Sequence, residues 1–244
     1  MTTNDKTDAY GKYLLDAYNG KNPTQIIERD DGHTEKSQYS PAYFSEFKDW
    51  PHVQQEAIQF TQGKVLDIGA GAGRVSMYLQ DKGHEVTAID NSPLAVEVCK
   101  KRGVKDARVI PIEEINILNG EKFDTVVLFG LGLGLLGNKE LAQKTLERLH
   151  QITSEHARII GDGLDPYQTD DPEHLNYHKF NTNKGRMPGQ VRIKIKAEDY
   201  ESDWIEYLLT SQLELEDLLK KTGWKVEKHF SANDPTYAAV ITKT

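Results

Sequence analysis

The chain has 244 residues, and 38 acidic against 30 basic side chains give it a formal charge of −8. With 37% apolar and 28% charged residues it can bury a sizeable core, which excludes a disordered chain, and no run of about 18 apolar residues offers a transmembrane helix. One cysteine, Cys99, excludes an intramolecular disulfide framework and a cysteine-rich zinc or iron–sulfur site. The acidic balance argues against a partner held mainly through phosphates. The opening MTTNDKTDAYGKYLL has no basic stretch followed by an apolar core, so a signal peptide is not expected and a cytoplasmic protein is.

Residues 1–55 read as an N-terminal helical lid or extension. Tyr10, Tyr13, Leu14, Ala17 and Tyr18 recur at three-to-four spacing and predict a short helix. Turn-forming residues from Asn19 to Pro41 predict a loop, and Pro51 opens a second helix with Val53, Ala57, Ile58 and Phe60 on one face. From 56 to 244 strands and helices alternate. Strands are predicted at Lys64–Ile68, Glu85–Ile89, Arg108–Ile112, Thr125–Phe129 and Ala157–Gly161. Helices are predicted over Arg74–Lys82, from the Ser92–Pro93 cap to Gly103, and from Asn138 through the stripe Leu141, Thr145, Leu149 and Ile152. Such alternation needs crossover connections and gives a parallel sheet with helices on both faces. Near the end, Ser211 and Glu214 form a capping-box pattern for a helix that Gly223 closes. Lys225–Phe230 and Tyr237–Thr242 follow, joined by a link too short for a crossover, so they form an antiparallel pair. The expected fold is a doubly wound α/β sheet, mostly parallel, with one reversed strand and an insertion over about 165–210.

The sharpest motif is Asp67–Ile68–Gly69–Ala70–Gly71–Ala72–Gly73 at the end of the first parallel strand. Glycines at alternate positions let the backbone turn tightly and approach a ligand, and the next helix aims its free N–H groups at the loop. Asp90, with Asn91 beside it, ends the next strand, where a carboxylate can accept ribose hydroxyls. The glycines follow G-x-G-x-G rather than the dinucleotide pattern G-x-G-x-x-G. A pyrophosphate would be repelled by Asp67, whereas a cationic amino acid would be attracted, so charge favours S-adenosylmethionine over NAD.

On these residues the sequence resembles the class I S-adenosylmethionine-dependent methyltransferases over roughly residues 55–244. The resemblance implies a Rossmann-like sheet of seven strands with an antiparallel last strand. It also implies S-adenosylmethionine as donor, S-adenosylhomocysteine as product, and no metal. It carries the donor site onto Asp67, Gly69, Ala70, Gly71, Gly73, Asp90 and Asn91, onto Ile112 and Glu113 beside the adenine, and onto Phe129 beside the methyl donor. No Asn/Asp-Pro-Pro-aromatic motif follows the fourth strand; Gly130–Gly137 is a glycine–leucine alternation instead, which argues against exocyclic base amines as acceptors.

Substrate-side candidates are Tyr39 and Tyr43 in an aromatic N-terminal cluster, Asp165 and Tyr167 after the fifth strand, and Arg186 in the insertion. Asp162 and His178 are the candidate bases; His178 with His174 also has the i, i+4 spacing of a metal pair. Six basic and no acidic residues lie between Lys179 and Lys196, with Arg192, Lys194 and Lys196 alternating along a strand. A solvated outer face and an anion-binding strip both fit that pattern. The expected activity is methyl transfer to a small molecule. The alternatives are an RNA methyltransferase, a nicotinamide-dependent oxidoreductase, or a non-catalytic nucleoside-binding protein of the same fold. Nothing in the chain distinguishes a monomer from a homodimer.

Overall fold

The computed structural model describes residues 6–38 and 40–244, so the substrate candidate Tyr39 lies outside the described residues. In chain order the helices are α1 (Ala9–Tyr18), α2 (His52–Ala57), α3 (Arg74–Asp81), α4 (Pro93–Arg102), α5 (Lys139–Ile152), α6 (Pro172–Asn183) and α7 (Gln212–Leu219). The strands are β1 (Thr24–Arg29), β2 (Thr34–Gln38), β3 (Val65–Ile68), β4 (Val86–Asp90), β5 (Ala107–Val109), β6 (Phe123–Leu128), β7 (Thr153–Leu164), β8 (Gln190–Ala197), β9 (Tyr200–Glu201), β10 (Ile205–Leu208), β11 (Trp224–Ser231) and β12 (Thr236–Lys243).

Seven strands form the main sheet in the order β11–β12–β7–β6–β3–β4–β5. From β7 to β5 neighbouring strands are parallel; β12 runs antiparallel to both β7 and β11. Every residue of β3 and β4 is buried, as a strand covered on both faces requires. Adjacent residues of β3 feed opposite cores. Leu66 packs with Leu146 and Leu149 of α5 and Leu215 of α7, while Val65 packs with Val53 and Ala57 of α2 and Val75 and Leu79 of α3. The helix ends follow local chemistry. Ser92 accepts the Ala95 N–H at the start of α4, Gly103 closes it at φ 100°, and Lys100, Lys101 and Arg102 meet the negative end of its dipole. At α7 Ser211 and Glu214 make a complete capping box.

The segment Asn19–Pro41 departs from the loop expected of it. It forms the β1–β2 hairpin, turning through Asp31–Gly32 with Gly32 at φ 90°. β1 then pairs with β8, for example Ile27 with Ile195, in a second sheet ordered β10–β8–β1–β2, with β9 on β8. Asp-Gly between two strand-like runs is the signal for such a hairpin, but its polar strands are held by pairing with β8, whose residues lie far along the chain, as Ile27 with Ile195. Residues from the N-terminal segment and from the insertion thus share one sheet. Among the described residues no helix is long and apolar enough to cross a membrane.

Candidate active site

The chain leaves β3 at Ile68 and folds over the tip of β4, where the Gly69 and Ala70 N–H groups both donate to the Ile89 carbonyl (2.9 and 3.1 Å). Gly71 and Gly73 are left-handed, at φ 55° and 76°. A Cβ on Gly71 would sit 3.0 Å from the Tyr10 hydroxyl; one on Gly73 would meet Val104 at 2.7 Å and Cys99 Sγ at 3.0 Å. The loop is tied to Asp90, whose Oδ2 accepts the Gly71 N–H at 2.9 Å while Oδ1 accepts the Ser92 N–H at 2.9 Å. Burial raises the Asp90 pKa above its ordinary value against these two bonds.

Asp67, 2% exposed, lies behind the loop. The Ser76 hydroxyl donates to its Oδ2 at 2.5 Å. Burial nevertheless pushes its pKa up to about 6, with Ser76 and the Arg74 charge pulling the other way. Arg74 opens α3 directly after Gly73. Its guanidinium stacks 4.6 Å from the Trp50 ring centre, and Nη2 donates to Gln54 Oε1 at 2.8 Å. Gln54 in turn donates from Nε2 to Asp162 Oδ2 at 2.6 Å, and Asp162 Oδ1 accepts the Gly132 N–H at 3.2 Å. Burial raises the Asp162 pKa, and these bonds oppose the rise. A polar chain therefore runs from α3 through α2 to the end of β7. Sequence reasoning missed Gln54 and Arg74. The available signal was a glutamine beside Val53, Ala57 and Ile58 on a helix whose apolar face is buried.

The N-terminal helix lies over this edge. Asp8 caps α1 by accepting the Gly11 N–H at 2.9 Å, and its Oδ2 also accepts the Ser92 hydroxyl (2.9 Å) and the Leu94 N–H (3.0 Å) of α4. One acid thus caps two helices and fixes α1 to the strand end that carries Asp90. Tyr43 packs edge-on against Tyr10 and Tyr13 with ring centres 5.8 and 5.9 Å apart. From β10, Tyr207 donates to the Leu131 carbonyl at 2.6 Å, and a Cβ on Gly134 would fall 2.0 Å from its ring. The glycine of the glycine–leucine run is therefore what lets the second sheet close onto the first. Burial raises the phenol pKa values of Tyr10, Tyr43 and Tyr207, so all three stay neutral. Tyr207 was not legible as a site residue, because only sheet packing brings it here.

Among the remaining candidates, Ala70 packs beside Ala88, Val96 and Cys99, and Phe129 is buried edge-on to Trp50 at 6.3 Å. Asn91 is exposed next to Asp90. Ile112 packs on the core, and the carbonyl of exposed Glu113 accepts from Arg148. The insertion candidates have other partners. Asp165 Oδ1 accepts the Tyr167 N–H at 2.9 Å, and the Tyr167 phenol donates to Glu214 at 2.6 Å. His178 lies 5.9 Å from the Tyr167 ring, and burial lowers its pKa. Arg186 pairs with Asp30 Oδ2 at 2.7 Å while Tyr177 donates to Asp30 Oδ1 at 2.7 Å, which clamps the β1–β2 hairpin to the insertion. His174 Nδ1 is 3.0 Å from the Thr169 hydroxyl, and no cluster of three or more potential metal ligands occurs among the described residues. The basic strand is matched by acids: Arg192 faces Glu206 at 3.3 Å, Lys194 faces Glu201 at 2.8 Å, and Lys196 lies between Glu28 and Glu201 at 2.7 and 3.4 Å. Two shallow recesses, one along Leu213–Lys220 that includes Glu214 and one beside Gln80–Val86, lie away from the glycine loop.

Comparison with known proteins bears on this geometry. The family model described as a methyltransferase domain matches residues 65–156. A SAM-dependent methyltransferase from Bacteroides fragilis, solved in complex with S-adenosyl-L-homocysteine, is 26% identical, with 98% of this chain and 96% of that one covered and a TM-score of 0.84. The CcbJ methyltransferase of Streptomyces caelestis shares the fold at 14% identity and a TM-score of 0.63, over 98% of this chain and 99% of its own. A ubiquinone biosynthesis O-methyltransferase of Histophilus somni is 32% identical over 84 residues, which are 31% of this chain and 35% of that protein. The chain thus matches about a third of the length of that curated relative.

Proposed function

As the chain belongs to the class I S-adenosylmethionine-dependent methyltransferases, we propose that it transfers a methyl group from S-adenosylmethionine to a small-molecule acceptor. The observation that carries this reading is the glycine loop hydrogen-bonded to Asp90, with buried Asp67 behind it. The residues present fit the donor. Each Asp90 oxygen accepts one backbone N–H and keeps a lone pair for a ribose hydroxyl. Asp67 supplies a negative charge for the ammonium group, and the left-handed glycines keep side chains out of the loop's approach.

When bound, the donor supplies a methyl group already activated by a sulfonium charge. The protein's own part is to orient and to exclude water. Positioning of this kind is worth on the order of 7–11 kcal/mol of barrier. In this reading residues 1–55 act as a lid on a catalytic domain of 56–244, and α1 with Tyr10, Tyr43 and Tyr207 encloses the reacting end. Acceptor contacts come from the second sheet and the 165–210 insertion. Of the two candidate bases, Asp162 is the better placed, because it belongs to the network that holds Arg74, whereas His178 faces Tyr167. Burial raises the Asp162 pKa, which makes its carboxylate a stronger base for the proton of an acceptor hydroxyl. The O-methyltransferase relative supports a hydroxyl acceptor, and the acid-matched cations of β8 support a small molecule over a polyanion.

Calorimetry on the full chain tests the donor assignment. S-adenosylhomocysteine should bind at micromolar levels and NADH should not. Asp90→Ala should weaken binding at least about tenfold, as expected for loss of charge-assisted bonds. Preference for NADH, or full affinity in the variant, would overturn it.

A further inference from the structure

Two polar atoms on the inner face of the second sheet are buried without a partner among the described residues. Gln25 of β1 is 7% exposed and its Oε1 accepts no hydrogen bond; Ser37 of β2 has its Oγ shut off from solvent and bonded to nothing. The two residues stand directly opposite each other in the β1–β2 register, so their side chains share a face. That face is turned toward α1, because Gln25 alternates with Ile27, and Ile27 pairs with Ile195 in the cluster of Tyr13 and Leu14. A buried acceptor and a buried hydroxyl left unpaired cost the folded state free energy, and native interiors keep few of them. The cations of β8 do not answer them. Lys194 and Lys196 stand opposite Glu28 and Ile26, on the other face of the sheet.

Tyr43 joins this pair to the reacting end. Burial raises its phenol pKa, and the hydrogen bond from the Gln25 amide opposes the rise. Its ring packs edge-on 5.8 Å from Tyr10. Beyond burial, both Asp162 and Tyr43 raise the Tyr207 phenol, so these groups lie within charge reach of one another. A line of aromatic walls thus runs from the hairpin to the candidate base.

We propose that Gln25 and Ser37 are specificity residues of the acceptor site, holding a hydroxyl of the acceptor remote from the one that is methylated. The inference rests on the small-molecule methyltransferase reading above. A hydroxyl answers both atoms at once, since its proton goes to Gln25 Oε1 and its oxygen accepts from Ser37 Oγ. A carboxylate would set its lone pairs against that amide oxygen, and an ammonium would leave the Ser37 proton without an acceptor. With phenol rings as walls, the acceptor that fits is a neutral aromatic ring system carrying at least two hydroxyls. Tyr43 sits in a single helical turn, Pro41–Phe44, none of whose residues is fully buried, and this turn moves aside as the acceptor enters.

The test is calorimetry on the full chain saturated with S-adenosylhomocysteine, with two pairs of probes of different reach: resorcinol against phenol, and dihydroxynaphthalene against naphthol. In at least one pair the second hydroxyl should tighten wild-type binding by about tenfold or more, as two neutral hydrogen bonds imply. Ser37→Ala and Gln25→Leu should each remove most of that preference while leaving the single-hydroxyl probe and S-adenosylhomocysteine bound as before. Losing an unpaired hydroxyl should also cost Ser37→Ala no stability in urea. A wild type that prefers neither diol, or binds none of the probes, overturns the proposal. So does a preference that persists in a cooperatively unfolding Ser37→Ala protein, which would leave the hydroxyl a part of the fold alone. If Gln25→Leu does not fold, Ser37→Ala decides. Failure to bind S-adenosylhomocysteine overturns the methyltransferase reading instead.

Discussion

Donor affinity should fall in mild acid because of Asp67. Its pKa is pushed up to about 6 by burial from an ordinary 3.8. At pH 7 about nine-tenths of the molecules then carry the charge, and at pH 5 about one-tenth do. A ligand whose ammonium needs that charge should bind about tenfold more weakly at pH 5, while its own amine stays protonated throughout. The unliganded fold should move the other way. The folded state binds the Asp67 proton more tightly than the unfolded chain, so this stabilisation is complete below about pH 3.8 and lost as pH rises through about 6. Going from pH 7 to 5 should recover roughly 1 kcal/mol from this group. Asp90 and Asp162 are raised in the same direction and add to the stability trend. Asp67→Asn separates them, because it keeps the shape, removes the charge and should flatten the pH dependence that belongs to residue 67. Titrating S-adenosylhomocysteine into both proteins at pH 7 and 5, with urea unfolding alongside, measures each arm. Equal wild-type affinity at the two pH values, or the same slope in the variant, would refute the pairing of Asp67 with the ammonium.

Gln54→Leu keeps the volume of the side chain but strands Arg74 Nη2 and Asp162 Oδ2 in the interior. At about 1.5–3 kcal/mol for each lost bond to a charged group, it should destabilise the fold by roughly 3 kcal/mol or more, read as a lower urea midpoint at constant slope; an unchanged midpoint would show that the chain from Arg74 to Asp162 contributes nothing. Replacing Arg192, Lys194 and Lys196 together by Gln should leave RNA binding at about 0.15 M salt as weak background, because each cation is already matched by an acid. Submicromolar binding that vanishes in the triple variant would replace the small-molecule reading with an RNA one.

The main sheet and the donor loop were readable from sequence because their signals are local. A buried parallel strand is an uninterrupted apolar run, its end is marked by glycines that must be left-handed, and Ser92–Pro93, Asn138 and Ser211 start helices with their own side chains. Asp67 and Asp90 follow from the same logic, since each closes a strand at the edge where ligands bind. What chemistry these acids can do was set elsewhere. The raised pKa of Asp67 comes from burial under residues of several elements. Gln54 bridges Arg74 and Asp162, groups 20 and 108 residues from it in sequence, and Tyr207 reaches Leu131 only because β10 belongs to the second sheet. That sheet was invisible because β1 and β2 are short, polar strands with no apolar alternation to announce them; they are held by pairing with β8 and by the Asp30–Arg186 clamp. Periodicity, caps and turns belong to the chain by itself. Burial, charge pairing between distant segments and the closing of one sheet over the edge of another exist only once the chain has folded, because each depends on neighbours that the order of residues does not name.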